Sequence, residues 1–568
     1  MKTNDLSIVL CGAAGQGVKT VENILVHLLK KSGYHVFATK EYMSRIRGGS
    51  NSTEIRVSSE RVAAPVDRID ILLPFNEDAL WHLQKRMTPE TVIIGDRANI
   101  CKSCPSEATN FIDIPYADMA SEVGGKLFIN IIAVGVLVGL LDIDMSLVTA
   151  FIRKFFGQKS EDVVSKNIIA IENGYREGQQ LRSSNRIQIS LDKPRKRGEI
   201  LLTGADAVGL GALAGGCNFL SSYPMSPSTG VMIFLSQYAS DFGIVVEQAE
   251  DEISAINMAL GASYAGARAM VTTSGGGFAL MTEGVSLAGM IETPVVIHVA
   301  QRPGPATGLP TRTEQGDLEL VLYAGHGEFP RMIYTPGSLE EAFYLTQRAF
   351  NMADKYQVPV FILTDQYTMD TFYNIPAFDI SKLSIEKHVV KTTKDYRRFA
   401  LTDNGISPRG IPGFGEGLVG VDSDEHDEES HITEDMELRT KMVDKRLKKL
   451  EMLKEDITPP EFLGPKDYRT LLLGWGSTYH PIKEAMSAVA KDDLAFLHFK
   501  QVYPLHPDTQ RFLEKATHTV IIENNATSQF GKLIKLITGF SITDRILKYD
   551  GLAFTVEELI NRIGEKIG

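Results

Sequence analysis

Short strand-like apolar runs recur along this chain, and longer helical segments lie between them. This alternation is the strongest constraint on the fold. A strand leading into a helix, repeated, builds a layered α/β sheet rather than a helical bundle or a β-sandwich. The first instance is LSIVL followed by CGAAGQGVKT, Cys11 to Thr20. Its glycines, Gly12, Gly15 and Gly17, miss the Rossmann spacing Gly-x-Gly-x-x-Gly. It is not a Walker A loop either, because Val18 separates Gly17 from Lys19. One extra helical residue turns the lysine by about 100° around the axis. The segment predicts a strand, a tight turn and a helix whose N-terminus offers free backbone N–H groups to an anion. The plainer alternative is a turn that binds nothing.

The same grammar divides the chain. Residues 1–180 carry the runs SIVL, HVFAT, STEIRV, ILLPF and TVIIG. Residues 181–198, polar and basic with proline, predict a surface linker. Residues 199–380 carry ARAMVTTSGGG, PVVIHVA and VPVFILTD. Residues 381–465 are charged and irregular, and end in TEDMELRTKMVDKRLKKLEMLKED. That last stretch predicts a solvated helix with i,i+4 charge pairs. Residues 466–568 carry YRTLLLGWGS, LAFLHF and TVIIEN, which predict a further small α/β domain. The expected fold class is α/β with three α/β domains. A chain of 568 residues fits that count at ~150 residues per domain.

A net charge of −12 argues against a nucleic-acid-binding protein and fits a soluble enzyme. The longest apolar run, Leu127 to Leu141, contains Asn130 and is shorter than the ~20 residues a membrane span needs. It predicts a buried core helix. No signal peptide is visible, so the expectation is a cytoplasmic protein without a membrane segment. Of the cysteines, Cys101 and Cys104 form one CxxC, while Cys11 and Cys217 stand alone. A metal or iron–sulfur site usually takes four ligands, so no metal is expected in this chain.

The informative cluster lies in the second block. SSYPMSPSTGVM, Ser221 to Met232, predicts a stiff turn with hydroxyls at Ser226, Ser228 and Thr229. Ser228 or Thr229 is placed to cap the following helix. VEQAEDEISAINMALGASYAG leads acidic residues into a helix with a small-residue face at Ala259, Gly261, Ala262 and Ala265. HVAQRPGPATGLPTRTEQGDL puts Arg302 and Arg312 on loops after an apolar strand, the end of an open sheet where ligands bind.

These segments together resemble the α subunit of 2-oxoacid:ferredoxin oxidoreductases. The family's Tyr-Pro-Ile-Thr-Pro-Ser-Thr corresponds to Tyr223 to Thr229, its Asp-Glu-Ile-x-Ala-Ile-Asn-Met-Ala segment to Asp251 onward, and its Gln-Arg-x-Gly-Pro loop to Gln301 to Thr311. YMSRIRGGSNSTEIR and the first glycine turn resemble the family's γ domain, and the last block its transketolase C-terminal-like domain. The resemblance covers nearly the whole chain in a fused γ–α order. Two departures stand out. Ser226 replaces the usual threonine, and Ser274 to Gly277 read SGGG where the family has Ser-Gly-Pro-Gly.

The resemblance implies a γ-type domain over 1–180, a pyrimidine-type domain for thiamine diphosphate over 199–380, and a transketolase-like domain over 466–568. It implies oxidative decarboxylation of a 2-oxoacid, with the acyl group passing to coenzyme A and electrons to ferredoxin. Glu252 is the carboxyl expected to bond the cofactor's pyrimidine nitrogen, with Glu247, Glu250 and Asp251 as nearby competitors. Tyr223 and Pro224 belong to the same cofactor-facing turn. Arg302 is expected near the reacting carbonyl and Arg312 near the substrate tail or carboxylate, since arginine holds carboxylates in a bidentate fork. Ser226 is placed to donate to the substrate. Gly12, Gly15, Gly17, Arg45 and Arg47 are the expected cradle for coenzyme A phosphates.

No Gly-Asp-Gly exists in the sequence. In this family that motif lies in a β subunit and binds Mg²⁺ and the cofactor diphosphate. A β partner is therefore expected to supply that site and a [4Fe-4S] cluster, in an (αβ)₂ assembly. The fused layout, SPRGIPG (Ser407 to Gly413) and the DEHDE segment look most like the family's 2-oxoglutarate and broad-specificity branch, so the resemblance implies 2-oxoglutarate. Pyruvate, branched-chain or aryl 2-oxoacids are the alternative substrates. A non-catalytic scaffold and a nucleotide-binding protein built on CGAAGQGVKT are the competing functions.

Overall fold

The computed structural model describes residues 5–43, 48–100, 110–184, 186–187, 189, 191–192 and 198–567. The chain forms two compact units. The first comprises Met1–Leu202, Thr371–Ala377 and Thr555–Glu557, and the second Thr203–Asp370, Phe378–Phe554 and Glu558–Gly568.

The first unit is built on an eight-stranded sheet. Its strand order is Phe111–Asp113, Val92–Gly95, Ile71–Pro74, Asp5–Ala14, Gly48–Ser58, His35–Glu41, Phe372–Pro376, Glu199–Thr203. Every strand-like run read in residues 1–180 is a strand here. The insertion of Phe372–Pro376 between His35–Glu41 and Glu199–Thr203 is not visible in sequence. It pairs Phe372 with Ala38, and Asn374 Oδ1 accepts from the Val36 N–H at 2.8 Å.

The long apolar run forms the buried helix Ile129–Leu140. It crosses Glu161–Ser183 closely, because a Cβ at Gly139 or Gly174 would collide with the backbone of the opposite helix. Among the described residues, no single helix is long and apolar enough to cross a membrane. Tyr116–Val123 and Lys126–Leu140 satisfy length and composition only as a pair, bent by 116°.

The second unit carries two sheets. The larger has the order Gln501–Tyr503, Met332–Tyr334, Pro359–Asp365, Val295–Gln301, Ala269–Thr273, Phe219–Ser222, Val245–Gln248, parallel except at Gln501–Tyr503. Its central strands are buried apolar runs, as expected when helices cover both faces. The smaller has the order Glu461–Leu463, Leu494–Phe499, Thr470–Trp475, His518–Glu523, Asp544–Leu547. One apolar core serves both and includes Phe278, Phe361, Trp475, Phe499 and Phe530.

One expectation is overturned. The helix Met436–Leu453 is not a solvated charged rod, because it buries Met442, Lys445, Arg446, Lys449 and Leu453. The spacing is that of a buried helical stripe, but cations occupy it. Lys445 Nζ donates to Glu292 Oε1 at 2.5 Å, and Lys449 pairs with the other oxygen of the same carboxylate. Arg398 donates to the Glu292 backbone carbonyl at 2.7 Å. A buried lysine and a solvated one look alike in a charge pattern, so only the partner carboxylate distinguishes them.

Candidate active site

The larger sheet of the second unit reverses its direction of growth. From Phe219–Ser222 the chain steps outward to Val245–Gln248, then places Ala269–Thr273 on the other side of Phe219–Ser222. The crevice beyond the carboxyl ends of strands at such a reversal is where open α/β sheets bind ligands. Four adjacent strands deliver three of the predicted residues, and Ser274, there. Tyr223 follows Ser222, Glu252 follows the strand ending at Gln248, Ser274 follows Thr273, and Arg302 follows Gln301.

Glu252 opens the helix Glu252–Tyr264, and Asp251 is its cap, accepting from the Ser254 N–H at 2.7 Å. The competing acids separate cleanly. Asp251 is spent on capping, Glu247 and Glu250 are exposed, and Glu252 alone is buried, at 3% exposure. Its Oε1 is buried without a hydrogen-bond partner. Burial pushes the carboxyl above its ordinary range against a backbone hydrogen bond at Glu252 itself, and Asp251 adds to the rise. A buried orphan acceptor is costly and rare in native proteins. It fits a carboxyl awaiting an N–H or ring nitrogen from a ligand. The residues present therefore fit the aminopyrimidine of thiamine diphosphate.

Arg302 Nη1 donates to the backbone carbonyl of Ser226 at 2.8 Å, which joins two of the predicted residues. Burial lowers the Arg302 pKa, while Asp317 opposes that fall. Ser226 is exposed, and Tyr223 is 39% exposed. Arg312 lies half-buried beside Gly551, and its N–H donates to the Leu309 carbonyl at 3.1 Å. The loop that carries it is fastened, within the second unit, to segments beside the smaller sheet. Thr313 N–H donates to Gly551 O at 3.1 Å, and Gln315 N–H to Asn524 O at 2.7 Å. Ser228 stands before the helix Thr229–Gln237 but does not cap it. Its hydroxyl donates back to Met225 O at 2.7 Å.

The first glycine segment forms the expected strand, turn and helix: Asp5–Ala14, then Val18–Lys31, with Gly17 in the left-handed region at φ 78°. The turn is partly self-satisfied. Gln16 Oε1 accepts from the Ala13 N–H at 2.6 Å, and Asn130 Nδ2 donates to Gln16 O at 2.7 Å. Lys19 is exposed, and Gly15 has open space on its side-chain side. Arg45, Arg47, Cys101 and Cys104 lie outside the described residues. Cys11 and Cys217 are buried free thiols, and the described residues contain no group of acidic, histidine and cysteine side chains suited to a metal.

Residues 7–177 match the family model for pyruvate ferredoxin/flavodoxin oxidoreductase, and residues 210–445 match its thiamine-diphosphate-binding counterpart. The 2-oxoacid:ferredoxin oxidoreductase subunit alpha of a Sulfolobus species is 31% identical over 98% of this chain and 96% of its own. The chain belongs to the α subunits of the 2-oxoacid:ferredoxin oxidoreductases. Within that family, the 2-oxoglutarate synthase subunit KorA of Archaeoglobus fulgidus is 32% identical over 59% of this chain and 89% of its own. The 2-oxoglutarate:ferredoxin oxidoreductase of Magnetococcus marinus superposes with a TM-score of 0.94 at 29% identity, covering 100% of both chains. That structure holds 2-oxoglutarate, coenzyme A and succinyl-CoA. Membership makes the crevice of the second unit part of an oxidoreductase.

Two polar residues of this oxidoreductase crevice escaped the sequence reading. Ser274 Oγ and Asp317 Oδ2 are buried without partners, as Glu252 Oε1 is. Ser274 entered the sequence reading only through the SGGG departure, and Asp317 only as part of the loop that carries Arg302 and Arg312. A cap residue that does not cap is recognisable only in three dimensions.

Proposed function

We propose that this chain, with a β subunit, oxidatively decarboxylates 2-oxoglutarate to its acyl-coenzyme A and passes the electrons to ferredoxin. The observation that carries the reading is the buried carboxyl of Glu252 at the crevice, whose Oε1 has no hydrogen-bond partner. The substrate assignment is supported by the 2-oxoglutarate synthase relatives and by the ligands of the Magnetococcus marinus enzyme.

Thiamine diphosphate, when bound, supplies the carbon nucleophile that adds to the 2-oxo group and lets carbon dioxide leave. Glu252 holds a proton at the pyrimidine ring nitrogen. Arg302 takes the substrate's α-carboxylate, Ser226 donates to the substrate, and Arg312 reads the distal carboxylate. Tyr223 and Pro224 line the cofactor-facing turn. The γ-type domain over 1–180 takes coenzyme A, with Gly12 to Gly17, Arg45 and Arg47 at its phosphates. The pyrimidine-type domain spans 199–380, the transketolase-like domain 466–568, and 381–465 joins them.

A β partner supplies the Mg²⁺–diphosphate site and the iron–sulfur cluster, in an (αβ)₂ assembly in the cytoplasm. Exposed apolar residues on the elements bordering the crevice support such a partner: Phe242 at 59%, Val245 at 54%, Ile253 at 48% and Leu280 at 51% exposure. Solvent-facing apolar groups gathered on neighbouring elements mark interaction sites.

The test is expression of this chain with and without its β partner, followed by coenzyme A- and 2-oxoacid-dependent reduction of a viologen dye. Activity is expected only from the pair, with 2-oxoglutarate preferred. Turnover by the lone chain overturns the two-subunit reading, and a preference for pyruvate or aryl substrates overturns the substrate assignment.

A further inference from the structure

Two residues of the crevice stand where helix caps belong and do not cap. Ser274 precedes the helix Gly275–Leu280, Asp317 precedes Leu318–Tyr323, and neither side chain makes a cap hydrogen bond. Serine and aspartate at this position ordinarily satisfy free backbone N–H groups. Here Ser274 Oγ and Asp317 Oδ2 are instead buried and unpartnered. With Glu252 Oε1 they gather on one short turn, Ser274 to Gly277. Glu252 lies against Gly277, and Asp317 lies against Gly275. A side chain at either glycine would collide with the carboxyl beside it.

Asp317 is held in place by its backbone. Its N–H donates to Gln301 Oε1 at 3.0 Å, and Gln301 Nε2 donates to Thr364 O at 3.0 Å. Gln301 is the residue before Arg302, so the same clamp ties the Asp317 backbone to the strand end that carries Arg302.

We propose that Asp317 is a proton-holding positioning residue of the 2-oxoacid site, neutral while the substrate carboxylate occupies Arg302 and ionised after the substrate leaves. The proposal rests on the assignment of Arg302 to that carboxylate. Its physical basis is that two carboxylates near one guanidinium repel each other, and the one able to take up a proton does so.

The charges around Asp317 are few. Arg302 faces it from the strand end, and Glu314 lies on its own loop. Glu252 stands across the glycine turn, and Glu319 is occupied by Lys532 at 2.9 Å. Burial, with Glu314, pushes Asp317 up to about 7, while Arg302 pulls the other way. An arriving substrate carboxylate raises it further, so binding takes up a proton. Substrate affinity is then full below neutrality and falls above it, by up to about tenfold per pH unit for one coupled proton.

Three measurements on the assembled enzyme test this. The first is the pH profile of KM and kcat for 2-oxoglutarate in the wild type, Asp317→Asn and Arg302→Ala. A wild-type KM that climbs above neutrality, with kcat moving less, and a flat KM in Asp317→Asn are expected. The second is calorimetry with glutarate, an unreactive dicarboxylate, in two buffers of different ionisation enthalpy. Proton uptake on binding is expected in the wild type whether or not the variant folds, and its absence overturns the proposal. The third is an infrared difference spectrum of the assembled enzyme, glutarate-bound minus free, in which a carboxylic-acid stretch should appear at neutral pH in the wild type and be missing in Asp317→Asn. If Arg302→Ala is crippled while Asp317→Asn follows the wild-type profile, the Asp317 proposal alone fails. If Arg302→Ala keeps the wild-type KM, the Arg302 assignment fails and takes the proposal with it.

Discussion

A Cβ on Gly277 would stand 2.5 Å from Glu252 Oε1, so the crevice carboxyl occupies the space a side chain at Gly277 would need. Gly277→Ala must displace Glu252, Thr273 or the short helix Gly275–Leu280 itself. Glu252→Gln keeps the size and removes the proton-holding oxygen. For the glutamine variant the expected outcome is at least ~10²-fold loss of turnover, the scale of positioned acid–base catalysis. Its assembly with the β partner should be unchanged on a sizing column. Gly277→Ala is expected to lose turnover with normal assembly as well. Near-normal turnover of Glu252→Gln would remove Glu252 from the chemistry.

The arginines separate by substrate. Removing one partner of a desolvated charge–carboxylate pair costs about 2–5 kcal/mol. Arg302→Ala is expected to lower kcat/KM for every 2-oxoacid, because all share the α-carboxylate. Arg312→Ala is expected to hurt 2-oxoglutarate far more than pyruvate. Equal losses on both substrates would assign Arg312 to the loop, where its N–H already bonds Leu309 O.

The buried charge cluster under the helix Met436–Leu453 makes an asymmetric prediction. Glu292 is the single carboxylate shared by Lys445 and Lys449, with Arg398 on its backbone carbonyl. Glu292→Gln leaves cations facing each other without compensation, and about 3–5 kcal/mol of stability should be lost. Lys449→Met leaves Lys445 and Arg398 to balance Glu292 and should cost much less. Urea midpoints of the variants measure the difference, and equal costs would contradict the shared-carboxylate reading.

The same cluster sets a pH dependence. Burial opposes ionisation of Glu292, but Lys449, Lys445 and Arg398 together hold its carboxyl well below the usual range. Its contribution is therefore present above the unfolded carboxylate pKa and is lost as pH falls below it. Lys449 is lowered by burial to about 8 from 10.5. Between those values the unfolded chain holds the extra proton, so this lysine makes stability rise with pH. Lys449→Met should flatten that alkaline rise in a thermal-melt series. An unchanged slope would show that Lys449 is not the titrating group.

Coenzyme A gives the last test. Arg45→Ala combined with Arg47→Ala is expected to raise the KM for coenzyme A and to spare coenzyme A-independent carbon dioxide release in a single turnover. Each charge-assisted hydrogen bond to a phosphate is worth about 1.5–3 kcal/mol, and less where salt screens it. An unchanged KM would return Cys11 to Thr20 to a turn that only packs.

The strands of both units were legible because buried strands are continuous apolar runs bounded by turn residues, and LSIVL, PVVIHVA and TVIIEN carry that pattern in any context. Glu252 was legible only through its flanking motif, since Glu247, Glu250 and Asp251 offer the same chemistry and differ from it in burial. Lys445 and Lys449 were misread for the converse reason. Their spacing is equally good for a solvated face, and the deciding partner, Glu292, lies far away in sequence. Asp317 was passed over because the loop's local pattern says nothing of where its side chain turns.

The strand Phe372–Pro376 has a consequence for how this polypeptide is made. On the ribosome, residues up to Thr203 emerge long before the strand that separates His35–Glu41 from Glu199–Thr203. The nascent first unit must wait with an unfilled position in its sheet while most of the larger sheet's strands are synthesised. By the same logic, cutting the chain between Asp192 and Gly198 does not by itself free the N-terminal piece. The two fragments remain joined by the ladder from Ala38 to Phe372 and by the Asn374 side chain on Val36.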